Sequence, residues 1–365
     1  MTTVRVNLGP NSYDIAVTTG DAHGVGPFAR QHARGRRAVL VTDERVRPHA
    51  EAVAAALAAA DFETSTVVLP PGESQKALSV AGGLYDRLVD FQADRQTLVV
   101  AVGGGVIGDL AGFVAATFAR GMPLLMVPTT LLAMVDSAVG GKVGVNHPRA
   151  KNLIGAFHQP IGVWIDTAAL DTLPDREYRS GLAEVVKYGV VLDPELFGYL
   201  EEHAADVLRR DPAAVRDIVA RCCRLKADVV ERDERETTGL RLVLNYGHTF
   251  AHAFETAAGY SGWLHGEAVA AGMVCASRLA QRLGLLPAEL TRRQERLLEA
   301  FGLPIRPGPW PAADLVATMR SDKKALAGRL RFVLPRQLGA VVVSNDIPEA
   351  EVARLLEDAT NPASR

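Results

Sequence analysis

The sequence predicts an α/β domain with a parallel, Rossmann-like sheet over residues 1–173, followed by a mainly α-helical domain over residues 174–365. Three observations predict it. Up to Leu173, short runs rich in Val, Leu and Ile alternate with helical patterns, as a parallel sheet with crossover helices requires. Beyond Leu173 the apolar residues recur with helical periodicity, and β-branched runs return only near the end. Within the first regime, LVVAVGGGVIGDLAGF places Gly103, Gly104, Gly105 and Gly108 where a strand gives way to a helix.

The elements follow in order. VRVNL and SYDIAV read as an opening hairpin. RAVLVT (37–42), TSTVVL (64–69), TLVVAV (97–102), PLLMVP (123–128) and GVWIDT (162–167) read as buried strands. AEAVAAALAAA (50–60) and the segment after Ser74 read as helices between them. In the second half, 174–190, 194–235, 243–259, 265–284 and 287–301 carry helical patterning, and RLRFVLP and GAVVVS are late strands.

Composition bounds the function class. A chain of 365 residues with 48% hydrophobic residues is long enough for two domains or one large α/β unit. Its net charge of −2 gives no bulk attraction for nucleic acid or an anionic membrane. The three cysteines, Cys222, Cys223 and Cys275, form no CxxC pair, which points to a reducing, cytoplasmic setting. MTTVRVNLGPNSYDI lacks the apolar core of a signal peptide, and no apolar run approaches the roughly 18 residues of a membrane span. The expectation is a soluble cytoplasmic enzyme with neither a nucleic-acid nor a membrane partner.

Three of the nine histidines, His248, His252 and His265, crowd into NYGHTFAHAFETAAGYSGWLHGE. Neutral imidazole is the commonest protein ligand for zinc-type cations and titrates near neutral pH. The four-residue spacing puts His248 and His252 on one helix face; His265 opens the next apolar run, and Asn245, Glu255 and Glu267 lie nearby. A lone histidine here is more often an exposed polar residue. Three with acidic neighbours point to a metal or proton-transfer site.

Gly103, Gly105 and Gly108 satisfy GxGxxG, which fits either a pyrophosphate-binding turn at a helix N-terminus or a plain turn. The acid that usually follows about 20 residues later, to hold a ribose, is missing; Pro128, Thr129 and Thr130 occupy that region. Asp43, closing RAVLVT, is an alternative ribose acceptor. Pro71, Gly72, Glu73, Ser74, Gln75 and Lys76 form a helix-starting loop able to touch the same cofactor. Asp136, Lys142, Asn146, Lys151 and Asn152 lie among glycines, with Arg120 upstream. Lys187, Lys226, Arg241, Lys323 and Lys324 add positive charge. Most lysines are simply solvated, but glycine flanks allow a phosphate or carboxylate to approach closely.

The blocks GGGVIGDLAGFVAATFARG, VPTTLLAMVDSAVGGKVGVNHPRAKNLIGAFHQP, SGLAEVVKYG, NYGHTFAHAFE and LHGEAVAAGM, in this order, resemble the 3-dehydroquinate synthase family from the opening hairpin to about residue 350. The resemblance implies a dehydroquinate synthase-like fold, NAD, a divalent metal (zinc or cobalt) and a homodimer. It makes Glu184, His248 and His265 the metal ligands and turns His252 from a ligand candidate into a substrate and proton-transfer residue. It assigns to NAD Asp43, Pro71 to Lys76, Gly104, Gly105, Val106, Ile107, Gly108, Asp109, Thr129, Thr130, Asp136, Lys142, Lys151, Ala169, Leu170, Asp171 and Thr172. Substrate contacts implied are Arg120, Asp136, Lys142, Lys151, Asn152, Lys187, Lys226, Arg241, Asn245, His252 and one of Lys323 and Lys324. Lys142, Lys187, Glu236, Asn245 and His252 make the implied catalytic set. Departures from the family pattern are the extra residue at Thr237-Thr238, which shifts Glu236 against Arg241, and Ala138 and Val143 at usual hydroxyl positions.

The implied substrate is the sugar acid 3-deoxy-D-arabino-heptulosonate 7-phosphate. The implied chemistry is oxidation at C5 by NAD, β-elimination of phosphate, re-reduction, and intramolecular aldol closure to 3-dehydroquinate. Sister cyclases making 2-deoxy-scyllo-inosose or 2-epi-5-epi-valiolone are the nearest alternatives. A polyol dehydrogenase of the same fold, which would release NADH, is the next.

Overall fold

The computed structural model describes residues 1–259, 262–321 and 330–360. Lys323 and Lys324 lie outside the described residues. The chain forms two compact units, Met1–Leu173 with Pro212–Arg235, and Pro174–Asp211 with Glu236–Arg365.

The first unit is built on a seven-stranded sheet. Its strands are β1 (Thr2–Val6), β2 (Tyr13–Thr18), β3 (Arg37–Asp43), β4 (Glu63–Leu69), β5 (Leu98–Gly103), β6 (Leu124–Pro128) and β9 (Gly162–Asp166). The order is β1-β2-β9-β6-β5-β3-β4. Only β1 runs antiparallel to its neighbour, as the expected opening hairpin; the other pairings are parallel. The strands β5 and β6 are buried at every position, because a parallel strand covered by helices on both faces meets no water. Leu40, Leu57, Val100, Leu125 and Trp164 share one core cluster.

Because β4 lies on one side of β3 and β5 on the other, the strand order reverses between β3 and β5. Such a switch point leaves a crevice at the strands' carboxyl ends where ligands of open α/β sheets bind. A separate antiparallel hairpin, β7 (Lys142–His147) and β8 (Ala150–Phe157), was not expected from sequence. Its glycines masked the strand pattern: a Cβ on Gly155 would come within 2.3 Å of the Val143 carbonyl across the ladder.

One boundary needs correction. The helix Pro212–Arg232 falls in the stretch expected to belong to the second domain, yet it packs with the first unit. Val215, Ile218, Val219, Cys222, Cys223 and Val230 form its buried stripe, a helical spacing that says an apolar face exists but not which body covers it. Here Cys223 Sγ donates to the Met134 carbonyl at 3.4 Å. The expected single helical stretch 194–235 is thus three helices, Pro194–Glu202, Ala204–Leu208 and Pro212–Arg232.

The second unit is helical around the helix Asp175–Val191, whose residues Ser180–Val191 are all buried. The helix His265–Arg282 packs on it, and the helix His248–Ala257 packs on His265–Arg282 in turn. Glycines permit that closeness. A Cβ on Gly266 would lie 1.8 Å from the Ser180 carbonyl oxygen, and one on Gly272 2.3 Å from that of Gly247. Strands β10 (Phe332–Gln337) and β11 (Ala340–Ser344) form an antiparallel hairpin, and Phe332 packs on Phe250 with ring centroids 5.2 Å apart. No helix among the described residues is long and apolar enough to cross a membrane.

Candidate active site

In the first unit the parallel strands β3, β4, β5, β6 and β9 bring their carboxyl ends to one edge. Asp43, the 71–76 loop, Gly104, Thr129, Thr130 and the 169–172 turn follow those strands directly, so most of the nucleotide residues expected from sequence share that edge. Gly104 precedes the helix Gly105–Thr117, which has no capping side chain; its first N–H groups are available to an anion. Thr129 N donates to the Gly103 carbonyl at 3.0 Å, tying β6 to the glycine turn. The Asp43 carboxylate accepts from Arg45 N at 2.9 Å, fixing its direction at the end of β3. Two buried hydroxyls here, Thr42 Oγ1 and Thr129 Oγ1, find no hydrogen-bond partner among the described residues. Buried polar groups are ordinarily paired, so these two hydroxyls are left to bond a water or a polar ligand.

A second cluster ties the 71–76 loop to the β7–β8 hairpin. Gly72, at φ +115°, turns the chain into the short 3-10 helix Glu73–Gln75. Lys76, buried, pairs with Asp109 and donates to Asn152 Oδ1 at 2.5 Å. Glu73 accepts from Asn146 Nδ2 at 2.8 Å and lies 4.0 Å from Lys151 Nζ. Burial raises the Asp109 pKa above the ordinary carboxyl value although Lys76 opposes it. Asp136 sits on the π-helix Ala133–Ser137 and pairs with buried Lys226. Lys142 is exposed at the start of β7.

Arg120 does not join this group. The helix Gly105–Thr117 starts at the carboxyl edge and carries the chain back across the sheet, and Arg120 precedes β6, whose Leu124 pairs with Val99 near the start of β5. Arg120 therefore stands by the opposite edge from the glycine turn, exposed, with φ +65°. Val143, at a usual hydroxyl position, is buried against Gly112, and a Cβ on that glycine would lie 2.3 Å from Val143 Cγ1. Ala138 is likewise buried.

In the second unit Glu184, His248 and His265 converge, each offering one ligand atom, all within 4.8 Å of one another. Three helices supply them. Glu184 lies inside Asp175–Val191, wholly buried; His248 and His265 are the first residues of their helices. Glu184 Oε1 is 3.6 Å from His248 Nε2 and 3.5 Å from His265 Nε2. A carboxylate oxygen and two imidazole nitrogens suit a zinc-type cation, and three protein ligands leave a position open for substrate. The donor set fits the expected metal. His252 stays outside it, its ring edge-on to His248 at a centroid distance of 5.9 Å, so the four-residue spacing identified neighbours but not co-ligands.

The surroundings fix each ligand. His248 Nδ1 is 3.1 Å from the Tyr246 carbonyl, and His265 Nδ1 is 3.4 Å from Glu255 Oε1. Burial lowers the His265 pKa, but hydrogen bonds and charge from Glu184 and Glu255 outweigh it and raise the value to about 10. Lys187, one helical turn from Glu184 and almost wholly buried, pairs with its other carboxylate oxygen. Arg176 grips Glu267 through two nitrogens at 2.6 and 2.7 Å, and Glu267 also accepts from Leu264 N at 2.8 Å. Gly266 N donates to Ser180 Oγ at 3.0 Å. These contacts seat the His265 helix on the helix that carries Glu184. Ser180 carried no signal in the sequence beyond opening the SGLAEVVKYG block, and Arg176, four residues before it, carried none.

Glu236 takes φ +55° and lies 3.5 Å from the buried Arg241. In the turn between them Leu240 N donates to Thr238 Oγ1 at 3.3 Å, and the Thr237-Thr238 stretch leaves Glu236 within reach of Arg241. Asn245 ends the 3-10 helix Leu240–Asn245, three residues before His248.

Comparison with known proteins agrees with this arrangement. Residues 66–180 match the family model described as 3-dehydroquinate synthase N-terminal, and residues 181–325 the model described as 3-dehydroquinate synthase C-terminal. The chain is 51% identical over 358 residues to the 3-dehydroquinate synthase of Halorhodospira halophila, covering 98% of this chain and 99% of that one. Among solved structures, 2-epi-5-epi-valiolone synthase from Streptomyces hygroscopicus subsp. jinggangensis 5008, with NAD+ and Zn2+ bound, aligns with TM-score 0.87 and 30% identity over 98% of both chains. A 2-deoxy-scyllo-inosose synthase complexed with carbaglucose-6-phosphate, NAD+ and Co2+ aligns with TM-score 0.88 and 26% identity over 98% of this chain and 100% of that one. Identity to the two sister cyclases is thus little more than half of that to the dehydroquinate synthase. The chain belongs to the 3-dehydroquinate synthase family.

Proposed function

We propose that this chain converts 3-deoxy-D-arabino-heptulosonate 7-phosphate into 3-dehydroquinate and inorganic phosphate. The observation that carries the reading is the convergence of Glu184, His248 and His265 in a chain of this family. The carboxyl edge of the first unit's sheet holds NAD, with Asp43 on a ribose and the helix after Gly104 on the pyrophosphate. Glu184, His248 and His265 hold zinc or cobalt. When bound, the dinucleotide supplies a reversible hydride acceptor and the cation polarises substrate oxygens.

The remaining roles fall to side chains. Arg241, a planar fork buried beside Glu236, takes the substrate carboxylate. Asn245, three residues before His248, binds a substrate hydroxyl. Lys142, Lys151, Asn152 and Lys226 take substrate oxygens and phosphate, with Asp136 orienting Lys226 through their ion pair. His252, next to His248 but outside the ligand set, manages the C5 hydroxyl proton, help worth typically about 10²–10⁴-fold. Lys187, set against Glu184, offers that carboxylate a counter-charge and is a substrate contact. Arg120 is assigned to phosphate by resemblance alone, since its own unit puts it by the other sheet edge.

We further propose a cytoplasmic homodimer; sedimentation at micromolar concentration should give twice the monomer mass. The activity is tested by mixing the full chain with NAD, Zn2+ or Co2+ and the heptulosonate phosphate. Phosphate release without net NADH is expected. Stoichiometric NADH would instead mark a dehydrogenase, and turnover of glucose 6-phosphate or sedoheptulose 7-phosphate a sister cyclase.

A further inference from the structure

Both histidines of the ligand set turn Nε2 toward one carboxylate oxygen, Glu184 Oε1, at 3.6 and 3.5 Å. An imidazole can offer a lone pair from Nε2 only while its proton sits on Nδ1, and the partner of Nδ1 decides that. For His248 the partner is the main-chain carbonyl of Tyr246 at 3.1 Å, which only accepts and which no side-chain substitution removes. For His265 it is Glu255 Oε1 at 3.4 Å. His265 has a partly exposed side chain, at 32%, whereas that of Glu255 is 10% exposed. The two residues come from different helices, His248–Ala257 and His265–Arg282. Glu255 also stands seven residues after His248, two helical turns along, so one helix carries both a ligand and the group that steers the other ligand.

We propose that Glu255 is a positioning residue for the metal centre. It accepts the Nδ1–H of His265, which fixes the tautomer with Nε2 unprotonated and holds the ring toward Glu184. The carboxylate also makes the imidazole a stronger donor. This rests on the reading of Glu184, His248 and His265 as metal ligands, and assigns them a partner outside the set.

The test uses the full chain and the metals themselves. Affinity for Zn2+ and Co2+ is measured by chelator competition for the parent, Glu255→Ala and Glu255→Gln, together with the visible absorption spectrum of the Co2+ form. Glu255→Ala should bind about 10–100-fold more weakly, the usual cost of losing such a partner, and its cobalt bands should shift. Glu255→Gln keeps an acceptor oxygen, so it should retain the parent spectrum and lose less affinity. It also serves if the alanine chain fails to fold. A parent chain that binds neither cation sinks the metal reading and this proposal together. A parent that binds, with a folded Glu255→Ala of equal affinity and spectrum, overturns this proposal alone. So does a Glu255→Gln spectrum as altered as that of the alanine variant, or, when the alanine chain does not fold, a Glu255→Gln chain that binds both cations as tightly as the parent.

Discussion

Glu184 Oε1 stands 3.5 Å from Nε2 of His265, inside a site where the carboxylate is wholly buried. Without a cation this pair behaves as an ion pair: burial disfavours the imidazolium, but Glu184 and Glu255 lift its pKa from 6.5 to about 10. A raised pKa in the folded chain contributes stability that is full below the unfolded value of 6.5 and is lost as pH rises through about 10. The cation-free chain should therefore lose stability progressively over that window. A metal must displace the same proton. Zinc affinity should rise with pH, approaching about tenfold per unit if one proton leaves, and calorimetry in buffers of different ionisation heat should count the released proton.

The Lys187–Glu184 pair makes a different demand. Both side chains are almost wholly buried, and removing one partner of a buried pair costs about 3–5 kcal/mol because a charge is left uncompensated. Lys187→Met should abolish turnover and destabilise the cation-free chain by that order, with part of the loss recovered on adding Zn2+. Denaturant titrations with and without metal check it; equal loss in both conditions would separate Lys187 from the metal carboxylate.

Gly266→Ala tests how closely two helices must approach. A methyl group there would lie 1.8 Å from the Ser180 carbonyl oxygen, so the His265 helix must move away from the helix carrying Glu184. Overpacking of this kind costs about 1–3 kcal/mol. The expected result is a lower denaturant midpoint and weaker Co2+ binding with unchanged NADH affinity.

The nucleotide edge predicts the converse pattern. Lys76→Met removes the cation that holds Asp109 and Asn152 and loosens the hold of the 71–76 loop on the hairpin, which keeps the Glu73–Asn146 bond. NADH affinity, followed by fluorescence, should fall about tenfold, a loss of roughly 1.4 kcal/mol, while metal affinity stays. Arg120→Ala, by the far edge, should leave NADH affinity untouched; a large loss would contradict its placement.

The sequence carried the strands of the parallel sheet closely, because buried parallel strands read as unbroken apolar runs. Residues 98–103 and 124–128 lie within one residue of the expected strands. The β7–β8 hairpin stayed hidden, since Gly140, Gly141, Gly144 and Gly155 dilute the alternation that marks a strand. At the metal centre, spacing along one helix favoured His248 with His252, yet the third helix supplies Glu184, a residue with no local signal of ligation. Only the resemblance joined Glu184 to the histidines. Glu255 was visible as a neighbouring acid, but its pairing with His265 depends on how two helices meet, which a one-dimensional pattern does not encode.

The placement of the helix Pro212–Arg232 has a consequence for how this chain comes to be folded. The polypeptide passes from one unit to the other after Leu173, Asp211 and Arg235. A fragment ending at Leu173 would lack the cover for Met134 and the counter-charge for Asp136. On the ribosome, the sheet can assemble early, but its last wall arrives only after a stretch of the other unit has emerged. Neither unit is therefore a module that can be cut out at a single peptide bond, and limited proteolysis in the 174–211 segment should release no independently stable half.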